Sequence, residues 1–144
     1  MIERYENTIV RTVCSLMAPL IQLFALYVVF HGHYGPGGGF QGGVLFAVSI
    51  ILLRLSMGRE ATGSKFSTRL AMALASVGML VYTMAGLVPM AMAGAFLDYE
   101  FLPVPGVSGA DLRYLGIAVV EISIALAVCG TMVLLFDVLA GGRQ

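Results

Sequence analysis

The chain has 144 residues and a mass of 15.3 kDa, room for one domain over 1–144. Apolar types make up 59% of it and charged types 11%, against about 45–50% and about 25% in soluble domains. So small a body cannot hide that much apolar surface from water, which excludes an ordinary soluble fold, and a net charge of zero excludes a nucleic-acid binder.

A membrane-spanning helix takes about 20 mostly apolar residues. Thr12 to Phe30 carries no formal charge and predicts a first span over about 11–31. Phe40 to Leu53 is short, but reaches full length over about 39–57 if Arg54 snorkels to the headgroups. Leu70 to Leu97 is long for one span and predicts a tilted helix, or one ending near Pro89, over about 69–93. Tyr114 to Phe136 is interrupted only by Glu121 and predicts a fourth span over about 113–137. The blocks do not alternate, so a barrel is excluded and an all-α bundle of four transmembrane helices is expected. The first block is longer than a signal peptide core and three more follow it, so it reads as a span. Residues 31–39, 54–69 and 98–113 read as connections.

Lysine and arginine set the orientation. Arg4, Arg11, Arg54, Arg59, Lys65, Arg69 and Arg143 fall on one side, and Arg113 alone on the other. Both termini and the 54–69 connection are therefore expected in the cytoplasm of a multi-pass plasma-membrane protein.

Seven of the thirteen residues from His31 to Gly43 are glycine. With Pro36, they suit a sharp turn between two helices. Gly38/Gly42 and Gly39/Gly43 form two small-xxx-small pairs that let a helix start approach another backbone. No Lys-Ser/Thr pair follows the glycines and no strand precedes them, so nucleotide binding is excluded. His31 and His33 sit where an imidazole can pass protons. They lack a third and fourth ligand, so no metal is expected, and the blander reading is a hydrogen bond to the turn.

Glu121 is the sharpest single residue. Eight positions past Arg113, at about 1.5 Å each, it lies about 12 Å into the layer. A carboxylate there costs several kcal/mol unless paired, hydrated or protonated, which marks it as a candidate for an ion or proton pathway. Its helical neighbours are apolar, so a partner is expected from water or another subunit. A structural hydrogen bond, for instance to Gln22, is the alternative. Asp137 reads as a cheap charge at a span end. Cys14 and Cys129 read as free buried thiols, and Ala71/Ala75 and Ala91/Ala95 as close-contact faces.

The stretch from Tyr27 to Gly43, YVVFHGHYGPGGGFQGG, resembles the MnhB-like small subunits of multisubunit cation/proton antiporters of the Mrp (or Mnh) type. Related subunits occur in membrane-bound hydrogenases. Length and layout match along the whole chain. Gly35 departs from the small hydroxyl residue common there, so a capping role does not carry over to it. The resemblance implies a small component of a prokaryotic plasma-membrane assembly that exchanges Na+ for H+. It implies no cofactor and no enzymatic chemistry of the chain's own, and the partners are other membrane subunits and the lipid bilayer. Gly32, Pro36, Gly37, Gly38, Gly39, Phe40, Gly42 and Gly43 would serve turn geometry and subunit contact, with Glu121, His31 and His33 on the pathway. The rival expectations are the equivalent component of a hydrogenase or other redox-driven pump, and a purely structural membrane scaffold.

Overall fold

The computed structural model describes residues 8–32, 38–63, 66–92, 94–106 and 108–141. Every element among them is helical: α1 Thr8–His31, α2 Gly39–Met57, the short α3 Arg59–Gly63, α4 Thr68–Ala91, a 3₁₀ turn Tyr99–Phe101, and α5 Ala110–Gly141. Helices α1, α2, α4 and α5 are each long and apolar enough to cross a membrane. At about 1.5 Å per residue, α5 is about 48 Å long and outreaches a hydrocarbon layer of about 30 Å.

Local chemistry sets the boundaries. The Ser67 hydroxyl accepts from the Leu70 amide at 3.1 Å and caps α4. Gly58, at φ 88°, stops α2 while its amide still bonds to the Arg54 carbonyl at 3.0 Å. Pro19 lies inside α1 and Pro89 near the end of α4 without breaking either. The carbonyl of Pro89 takes the amides of Met92 and Gly94 and closes that end.

The helices stand in a row. α1 packs on α2, α2 on α5, and α5 on α4, so α1 and α4 are the two edges. Small residues let these neighbours approach. A Cβ on Gly42 would meet the side chain of Val29 on α1, while one on Gly43 would stand 2.7 Å from the Ala125 carbonyl oxygen on α5. The adjacent glycines 42 and 43 thus face two different helices. Between α4 and α5, Gly78 faces Ser123 and Ala127, and Gly130 faces Ala71 and Ala75. Ala91 and Ala95, by contrast, are exposed. Ala47, Ile50, Ala71, Cys129 and Val133 form the buried centre. Both cysteines are free; Cys129 is buried and Cys14 half-buried.

These contacts also give directions. Gly39 lies against Glu121, Gly43 against Ala125 and Arg54 against Asp137, so α2 and α5 run parallel. α4 runs antiparallel to α5. At one end of the row, the glycine end, α1 stops and α2 starts, and the 3₁₀ turn lies there too. The other, the arginine end, carries α3.

Here the structure corrects the expectation for Arg54. Its side chain is 2% exposed and pairs with Asp137, itself 3% exposed. It does not reach out to headgroups, because a buried carboxylate on the neighbouring helix is a better partner. Asp137 is correspondingly no cheap terminal charge.

Candidate functional site

The glycine end is built where α1 stops and α2 starts. Gly38 is the residue before α2 and takes φ 111°, a conformation that side chains rarely adopt. Its amide donates to the Val28 carbonyl at 3.3 Å and its carbonyl accepts from the Gly42 amide at 3.0 Å. The end of α1 is thereby tied to the first turn of α2. The approach is close enough that a Cβ on Gly32 would collide with Gly38.

Glu121 of α5 fits into this junction. Its Oε1 lies 2.9 Å from where a Cβ of Gly32 would stand and 3.2 Å from that of Gly38. Its backbone carbonyl occupies the place of a Cβ on Gly39. Three glycines, 32, 38 and 39, therefore make the notch that holds this residue. The carboxyl group meets the start of α2, where helix amides lack intrahelical partners and carry partial positive charge. Gly38 offers no side-chain cap there. Among the described residues, none donates a hydrogen bond or forms an ion pair to this carboxyl group. Gln22 does not fill that role.

The 3₁₀ turn covers the α4–α5 side of the same end. Tyr99 lays its ring on Gly116, with Cδ1 2.5 Å from the position of a Cβ there. Phe96 fills the space over Gly86 and meets Tyr82 edge-on at 6.3 Å between centroids. Burial raises the Tyr99 phenol above its ordinary 10.0, and Tyr82 and Glu121 add to the rise. Glu121 is thus within electrostatic reach of Tyr99. Arg113 and Glu100 form an exposed ion pair at 2.6 Å on the same face.

The other sequence candidates fall as follows. His31 is exposed at the end of α1, its Nδ1 3.2 Å from the Tyr27 carbonyl oxygen and its ring stacked on Tyr27 at 4.2 Å. Its hydrogen-bond and stacking partners belong to α1. Phe40 is 64% exposed and stands apart from the notch. His33, Pro36 and Gly37 lie outside the described residues.

Comparison with known proteins bears on this arrangement. Residues 9–134 match the family described as a domain related to the MnhB subunit of the Na+/H+ antiporter. The chain belongs to the MnhB family. Proteins of Staphylococcus aureus strains Newman, JH1 and USA300, each named as antiporter subunit mnhB2, are 34% identical over 144 residues. The match covers 96% of this chain and 99% of each relative. Four membrane-length apolar helices and this membership make the MnhB-family chain a multi-pass plasma-membrane subunit of a multisubunit Na+/H+ antiporter.

One polar cluster escaped sequence reasoning. At the arginine end, Arg54 Nη1 pairs with Asp137 Oδ1, and Arg54 Nη2 donates to the Phe66 carbonyl at 2.9 Å. Thr68 Oγ1 donates to Asp137 Oδ2 at 3.3 Å, and Arg59 Nη2 stands 3.9 Å from the same oxygen. Arg54 also lies over the Phe66 ring at 6.0 Å. The only available signal was that α2 and α5 each end in one charge of opposite sign.

Proposed function

We propose that Glu121, seated in the notch of Gly32, Gly38 and Gly39, lies on the ion or proton pathway of the antiporter. The observation that carries this reading is an ionisable group well inside a spanning helix, held by its neighbours rather than turned to lipid. Such groups are expensive in a bilayer and mark ion and proton routes. Glu121 lies eleven residues, about 16 Å, along α5 from its start. A carboxyl group there can accept and release a proton or neutralise a passing cation. His31 and His33 flank Gly32 in the sequence, and an imidazole is a group that can hand protons to a carboxylate.

The chain works as part of a transporter assembly rather than as an enzyme, and its neighbours are other membrane subunits of that assembly. Na+ and H+ are the ions moved. The distribution of lysine and arginine supports cytoplasmic termini, with the glycine end facing outward. Family membership favours the antiporter over a redox-driven pump.

Glu121→Gln and Glu121→Ala, expressed with the full set of subunits, test the pathway. Antiport is read in everted vesicles as collapse of a proton gradient on Na+ addition, with subunit recovery measured alongside. A fall of about tenfold or more with normal assembly is expected, equivalent to about 1.4 kcal/mol in the rate-limiting barrier. Full activity in an assembled variant would return the chain to a scaffold role.

A further inference from the structure

The contact between α2 and α5 is polar only at its two ends. Between Gly39 on Glu121 and Arg54 on Asp137, the facing residues are Gly43, Ala47 and Ile50 on α2, and Ala125, Cys129 and Val133 on α5. The numbering offset is 82 at the first two contacts, 39 to 121 and 43 to 125, and 83 at the last, 54 to 137. Apart from Ile50 and Val133 the residues of this seam are small, and one helix displaced by a turn, about 5.4 Å, again meets apolar neighbours. Lipid supplies no hydrophobic force that prefers one alignment over the other.

The buried pair does not look like a device for stability. Ion pairs of this sort are commonly replaced by apolar residues at no loss, and their best-attested use is to fix a register. Arg54 Nε is buried without any hydrogen-bond partner, a cost an apolar side chain would avoid. The guanidinium nevertheless makes three contacts at once, to Asp137 on α5, to the Phe66 carbonyl before α4 and to the Phe66 ring.

We propose that Arg54 and Asp137 are positioning residues: their pair pins the parallel register of α2 on α5, and so keeps Glu121 opposite Gly39 at the far end of the seam. A one-turn slip leaves Arg54 and Asp137 both buried and unpaired, so the slipped state is strongly disfavoured only while both charges are present. With both removed, no buried charge opposes the slipped alignment, and only the close glycine contacts still favour the native one. In the slipped fraction Glu121 leaves its glycine notch although nothing near it has changed. The pair sets the register whatever Glu121 does; the consequence for transport rests on the pathway reading of Glu121.

Cys129 supplies the reporter. At an offset of 82 it faces Ala47, and both are buried in the same cluster. In a Cys14→Ser background, Ala47→Cys is oxidised in membranes from cells expressing the whole complex, and the 47–129 cross-link is quantified. The same is done with Arg54→Met/Asp137→Leu and with Arg54→Lys/Asp137→Glu, which keeps the charges and the combined reach. The apolar pair is expected to stay in the membrane and lower the cross-link about fivefold, the factor that about 1 kcal/mol of register preference confers. The Lys/Glu pair is expected to hold the parental yield. An unchanged cross-link in the apolar pair overturns the proposal. So does loss of the apolar-pair chain from the membrane, which would make the pair a support of the fold, and so does a Lys/Glu pair that behaves like the apolar one. No transport is measured, so failure of the Glu121 reading and failure of this one are told apart.

Discussion

The backbone carbonyl of Glu121 occupies the space that a Cβ on Gly39 would need. The first residue of α2 and the acidic residue of α5 are therefore packed backbone against backbone, and the carboxyl group inherits its position from that contact.

Any side chain at position 39 has to push α2 off α5. Overpacking typically costs about 1–3 kcal/mol where neighbours can yield, and here the neighbour is helix backbone. Gly39→Leu is expected to abolish recovery of the assembled complex and Gly39→Ala to reduce it, both measured by co-purification of the other subunits. Normal recovery of the leucine variant would contradict the close contact.

Removing one member of the Arg54–Asp137 pair leaves an uncompensated charge inside the protein. Asp137→Leu alone is expected to cost about 3–5 kcal/mol, and Arg54→Met/Asp137→Leu much less. Thermal aggregation of the detergent-solubilised complex reads the order. A double variant no more stable than Asp137→Leu would rule out direct pairing as the source of the loss.

Tyr99 offers a pH signature. Its phenol is raised above 10.0, chiefly by burial. An undocked Tyr99 loses its proton at the ordinary value, whereas the docked one retains it. The docking contribution is therefore complete below about pH 10 and declines as pH rises through the raised value. The tyrosinate absorbance of the parent minus that of Tyr99→Phe is expected to titrate with a midpoint above 10, and Glu121→Gln to lower that midpoint. A midpoint at or below 10 would mean that the ring is not buried on Gly116.

The Arg113–Glu100 pair is the useful contrast. Both side chains are more than half exposed, and such pairs contribute about 0–1 kcal/mol. Arg113→Ala is expected to leave assembly, thermal stability and antiport close to those of the parent, with any small effect disappearing in high salt. A loss comparable to that of Asp137→Leu would show that the pair does more than lie on the surface.

The spanning helices were legible in the sequence because lipid demands long uncharged blocks, and that demand is local. Glu121 and the glycines of 32–43 were each legible for the same kind of reason: one is costly in a bilayer, the others are conformationally unusual. Their contact was not. Glu121 and Gly39 lie 82 positions apart, and nothing along the chain says that the second and fourth spans run side by side. Arg54 misled for a related reason. Near the end of a short span, an arginine that snorkels and one that pairs with a buried carboxylate look alike. Only the parallel packing of α2 on α5 brings Asp137 to it. Ala91 and Ala95 show the reverse error, a small-residue pair at helical spacing that ended on an exposed surface.

Four helices side by side leave a wall about 10 Å through, the diameter of a single helix with its side chains. A wall cannot surround a channel. If Glu121 lies on the ion or proton route, as proposed, water or ions reach it along a face of this polypeptide, and the opposite bank has to come from outside the chain.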